Sequence, residues 1–135
     1  MRKTLVLVLV AIAISVVATL GFVKESAARH QRALRAEIKR QAQVTTQSMA
    51  QMYAHTADSQ IGFSLAVNSY EHELRVLDSM TTTSADRDLV NYLGKQIPSA
   101  SACFNLEHMD GIAGAESCTD ASSMTQSAVA MIAKM

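Results

Sequence analysis

From Thr4 to Val23 the chain reads TLVLVLVAIAISVVATLGFV, with no charged position and no polar face. Arg2 and Lys3 precede the run, and Lys24 and Glu25 follow it. At 1.5 Å per residue a helix of this length covers roughly 30 Å, the thickness of a bilayer's hydrocarbon core. The pattern predicts a membrane anchor or signal sequence over residues 1–23. No later stretch is apolar enough to span again, so residues 24–135 are expected to form one small helical extramembrane domain.

Beyond the run the pattern becomes amphipathic. From Lys24 to Ala57 there is no glycine or proline, and Leu34, Ile38, Ala42, Thr45, Met49, Met52 and Thr56 recur at threes and fours. That spacing is one face of a helix, here diluted by threonines. Phe63, Val67, Tyr70, Leu74 and Leu77 continue a stripe to about Met80. The whole predicts a long helix over about 24–80, with its kink or turn at Asp58–Gly62, leaving either one bent helix or a hairpin. Thr81-Thr82-Thr83-Ser84 then breaks the pattern. A short helix over 85–93 is expected, capped by Ser84, with Asp86 and Asp88 complementing the positive end of the helix dipole and Gly94 in the left-handed position after the last turn. Pro98 opens a cysteine loop, 98–119. A last helix, 121–134, is capped by Asp120 and carries Met124, Ala128, Met131 and Ile132 on one face.

Composition supports an all-α architecture. Tryptophan is absent, aromatics are 4% of residues, and there is one proline. A core of Ala, Leu, Val, Ile and Met suits helix-on-helix packing. Net charge is zero but unevenly placed. Residues 1–40 hold eight Lys/Arg against Glu25 and Glu37, net +6, and residues 41–135 hold four against ten Asp/Glu, net −6. The basic residues Lys24, Arg29, Arg32, Arg35, Lys39 and Arg40 form a candidate membrane-surface patch, with membrane lipid as its partner. The alternative is a solvated helix face. Aromatics are not interleaved in the patch, which argues against nucleic acid.

Cys103 and Cys118 are the two cysteines. In an oxidising compartment a disulfide closing their loop would stabilise by about 3 kcal/mol on the chain-entropy model. The alternative is a pair of buried thiols. The leader's fate is also two-sided. Signal-type cleavage sites follow Ala18, Gly21 and Ala28, but the apolar run exceeds a typical signal core and favours an uncleaved anchor. No cysteine follows closely enough for a lipoprotein signal. Lys/Arg density on the C-terminal flank argues for a cytoplasmic body; the short basic N-terminus and the cysteine pair argue for the periplasmic or extracellular side of the inner (cell) membrane, which is the expectation adopted. Ala11, Ser15 and Thr19 share a face at small-xxx-small spacing, which permits helix pairing in the bilayer, although such residues are common in any leader.

Catalytic signatures are missing from the sequence. Histidines 30, 55, 72 and 108 lack the i, i+4 partner of a zinc helix, and Glu71-His72-Glu73 diverges around a helix. Glu107-His108-Met109-Asp110 lies between the cysteines, where a metal site would lack a settled fourth ligand. A cysteine nucleophile would need a histidine base supplied by the fold. No phosphate loop, dinucleotide fingerprint or CxxC occurs, so no enzyme activity, cofactor, metal or small-molecule substrate is expected. Between Gln41 and Tyr70 the sole formal charge is Asp58. A helix so poor in charge needs cover, and Met49, Met52, Tyr53 and Phe63 are the expected interface with a protein partner or a second copy.

The layout of one N-terminal span, helices and a cysteine-bearing end resembles the inner-membrane spanins of phage lysis, and also the ligand-binding side of bacterial sensors. A sensor would need a second span and a cytoplasmic output. The expected function is that of a non-enzymatic, single-pass assembly or accessory subunit of a membrane or envelope complex. A secreted helical binding domain, released by cleavage, is the alternative, and a thiol or metal enzyme is a third class.

Overall fold

A computed structural model describes the backbone of residues 2–108 and 121–135, and the side chains of 11–106, 108 and 122–135. Among these the regular structure is helical: α1 Arg2–Ala54, α2 Gln60–Met80, α3 Ser84–Gly94, α4 Gln96–His108 and α5 Ala121–Lys134. The chain divides into two units, Met1–Ala36 and Glu37–Met135.

The first unit is a single helical run. Its apolar side chains from Ile12 to Val23 face outward, with Val17 69% and Phe22 74% exposed. It contains one helix long and apolar enough to cross a membrane.

The second unit is a helical bundle with its own core. The end of α1 and α2 form a hairpin: the Gln41 side-chain amide donates to Glu73 Oε2 at 2.6 Å and the Thr45 hydroxyl approaches Glu73 O at 3.3 Å. Ile38, Ala42, Thr45, Met49 and Met52 are fully buried on α1, and Tyr70 and Leu77 on α2. Thr45, which dilutes the α1 stripe, is a core residue: its hydroxyl bonds back to Gln41 O at 2.9 Å, as that of its neighbour Thr46 does to Ala42 O at 2.8 Å, so both enter without an unpaired hydroxyl. Leu34, which heads the predicted stripe, stays 38% exposed.

The choice left open between a bent helix and a hairpin falls to the hairpin. Its turn occupies 55–59, slightly earlier than expected, and Ser59 caps α2 by accepting from Gly62 N at 3.3 Å. His55 Nδ1 and Asp58 Oδ2 meet across the turn at 2.5 Å.

Two local expectations need correction around α3. Its cap is Thr83, in a capping box with Asp86, so the helix starts a residue before the predicted 85. Gly94 is not left-handed. The next residue, Lys95, has φ −71° and ψ −12°, and α4 begins immediately at Gln96. Residues 96–108 are therefore a helix where a cysteine loop from Pro98 was expected. Pro98 is the third residue of α4, where backbone N–H groups lack intrahelical partners, so its missing donor costs nothing. The rest of the predicted loop, 109–119, and the Asp120 cap lie outside the described residues.

α3 packs on α2, α4 and α5. Two tyrosines fasten these contacts, Tyr70 OH donating to Leu93 O at 2.8 Å and Tyr92 OH to Met124 O at 3.3 Å, and a third joins α1 to α4, Tyr53 OH donating to Gln96 Oε1 at 3.1 Å. On α5, Ala128 and Ile132 are buried while Met124 and Met131 are half-buried, as its predicted face requires.

Candidate functional site

The basic residues fall in both units. Lys24, Arg29 and Arg32 are exposed on the first, directly after the apolar run, and Arg35 is half-buried there. Lys39 and Arg40 belong to the second unit. Two of these basic residues meet carboxylates on their own helix: Arg29 pairs with Glu25 at 2.5 Å, and the Arg40 guanidinium grips both Glu37 oxygens. The hydrogen bond from Arg40 holds the Glu37 carboxyl below the usual range, and the same bond raises Arg40. Both side chains remain largely open to solvent, so the pair is a surface feature of little energetic weight.

The expected interface residues are used differently. Met49 and Met52 are fully buried, and Tyr53 and Phe63 are each 7% exposed, in the core of the chain itself. The cover comes from α4: Phe104 stacks on Phe63 at 4.5 Å between ring centroids, and Gln96 takes the Tyr53 hydroxyl. The large apolar groups left in water on the hairpin are Ile61, 75% exposed, and Leu65, 65% exposed. Beside Leu65 runs a groove of about 350 Å³ lined by Ser48, Gln51, His55, Gly62, Ala66 and Ser69. A second, open groove of about 620 Å³ lies between α2 and α3, where Arg75, Asp78 and Lys95 border Leu74, Val90, Asn91 and Gly94. Both escape sequence reading because they require helices to be brought together; the exposed i, i+4 pair Ile61 and Leu65, off the core stripe, is the signal that was available.

Among the described residues no three His, Cys, Asp or Glu side chains converge on a point where an ion could be held. His30, His55, His72 and His108 are exposed. His108 stacks on Phe104 at 4.0 Å and its Nδ1 lies 2.9 Å from Phe104 O. Cys103 is buried on α4. Cys118 lies outside the described residues, as do Met109, Asp110 and the Glu107 side chain. Burial pushes the Tyr53 and Tyr70 hydroxyls above the usual phenolic range, and each is a hydrogen-bond donor rather than a base. No protein-family model, curated protein or solved structure matches the chain.

Proposed function

We propose that this chain is a non-enzymatic, single-pass membrane protein whose helical body serves as an assembly or accessory subunit of a membrane or envelope complex. The reading rests on the first unit. Ile12, Ile14, Val16, Val17, Leu20, Phe22 and Val23 are all more than half exposed, and a water-facing helix with this face would lose roughly 1.5–3 kcal/mol for each large side chain left unburied. Lipid provides that burial. The body faces the periplasmic or extracellular side in this reading, with Cys103 and Cys118 joined there in a disulfide. The partner face is now Ile61 and Leu65 with the adjoining groove, where a different subunit or a second copy would seat.

N-terminal sequencing of the mature protein, with alkaline extraction of membranes, is the test. An intact Met1 end on protein that resists extraction supports the anchor. A start at Thr19, Phe22 or Arg29 would replace this reading with the secreted binding domain.

A further inference from the structure

We infer that the first turns of α1 beyond the apolar run, Lys24, Arg29 and Arg32, dock on anionic lipid headgroups, separately from the two basic residues of the second unit. The inference rests on the anchoring reading above. If the hydrocarbon ends near Val23, a rise of 1.5 Å per residue puts the Lys24, Arg29 and Arg32 Cα atoms roughly 1.5, 9 and 13.5 Å beyond it. The headgroup zone is only about 5–8 Å deep on each side. Helical side chains, however, lean toward the helix N-terminus, and here that direction is back toward the bilayer. The surface that such a residue covers lies over the preceding turn, a shift of about 5 Å. All three charges then fall inside the headgroup zone or within a Debye length, about 8 Å, of its edge.

The charge sign and exposure agree with this placement. Lys24, Arg29 and Arg32 are exposed, and Glu25 is the one acidic neighbour, engaged by Arg29. Lys39 and Arg40 differ in belonging to the second unit, where Lys39 is half-buried.

The experiment uses the full chain reconstituted in phosphatidylcholine vesicles carrying trace spin-labelled phosphatidylglycerol or phosphatidylcholine, with the motionally restricted fraction read by electron paramagnetic resonance. The expected result is a preference for phosphatidylglycerol that shrinks at high salt. Arg32→Gln should lower the preference by about fivefold, and Lys24→Gln similarly, at one charge near the surface each. Arg32→Lys should keep it. Arg29→Gln should lower it further, since Glu25 is then left without its cation. Lys39→Gln should leave it unchanged. Equal selectivity for both lipids, or a loss in Lys39→Gln as large as in Arg32→Gln, overturns the inference while leaving the anchor intact. Protein that fails to float with the vesicles after an alkaline wash overturns the anchor and the inference together.

Discussion

Asp86 is a charged residue that the bundle buries, 1% exposed, and its surroundings explain how. One carboxylate oxygen accepts from the backbone N–H groups of Thr82 and Thr83, each at 3.0 Å, and from the Thr82 hydroxyl at 3.3 Å. Removing it strands two donors at the start of α3, so Asp86→Ala should destabilise the body by about 1–3 kcal/mol, with Asp86→Asn costing less because its carbonyl can still accept. Urea titration of the full chain in detergent, followed by helical circular dichroism, reads the difference. Tyr70 makes a separate prediction. Burial raises its folded pKa above the unfolded value near 10, so above that pH the unfolded chain releases a proton that the folded chain keeps. Stability is therefore intact below about pH 10 and should fall above it, by up to about 1.4 kcal/mol per pH unit for this group. Tyr53 adds in the same direction. Tyr70→Phe should flatten the alkaline loss while costing about 1 kcal/mol at neutral pH for the missing bond to Leu93 O; an unchanged alkaline slope would contradict this assignment. That Asp86 stands in the first turn of a helix, complementing its dipole, could be seen in the sequence, but its capping role with Thr83 and its near-complete burial could not, since they depend on the path of Thr82 and Thr83.

At the scale of elements, strong periodicity carried furthest. Ala121–Lys134 is as expected, and the predicted stripe from Ile38 to Met52 is buried on α1, with its last member, Thr56, buried in the turn that follows. The miss is α4. Proline and a preceding glycine read as breakers, yet proline is harmless in a first turn, and Gly94 closes α3 in an ordinary helical conformation. What recruits residues 96–108 into a helix is tertiary: Ala100 and Cys103 are buried against the rest, and such packing overrides a local break. Glycine in α2 yields a prediction of opposite sign. Gly62 lies in the first turn of α2, and the atoms nearest to a methyl there would be Asp58 Cβ at 3.5 Å, Ser59 Oγ at 3.6 Å and Asp58 Oδ2 at 3.8 Å, ordinary contacts. Gly62→Ala should raise stability by about 0.5–1 kcal/mol, measured in the same urea titration. A loss would mean that the groove beside Leu65 needs its backbone bare.

At the scale of the whole molecule, the described apolar side chains from Ile12 to Val23 are exposed, whereas the second unit buries a core of its own. The expectation of a partner over Met49, Met52, Tyr53 and Phe63 and the missed α4 share one cause. Without α4, the low-charge stretch from Gln41 to Tyr70 has too few helices to hide it; with α4, Phe104 and Gln96 supply the missing cover. Ile61 and Leu65 remain outside. Leu65→Lys should leave folding unaltered within about 0.5 kcal/mol, as an exposed position allows, and lower the sedimenting mass of the detergent-solubilised chain if a second copy seats there. Met52→Lys, by contrast, places an unpaired ion in the core and should unfold the body. The basic patch was readable from composition; the partial burial of Lys39 in the second unit was not, because it depends on the fold.

The tyrosine seams have a practical consequence. With no tryptophan in the chain, ultraviolet emission comes from Tyr53, Tyr70 and Tyr92 alone, and each hydroxyl is tied across a different junction: α1 to α4, α2 to the end of α3, and α3 to α5. Every seam thus carries its own intrinsic chromophore. Three double Tyr→Phe variants, each retaining one ring, would turn the bundle into a set of single-colour reporters, so that the order in which its helices part during denaturation can be read without attaching a dye.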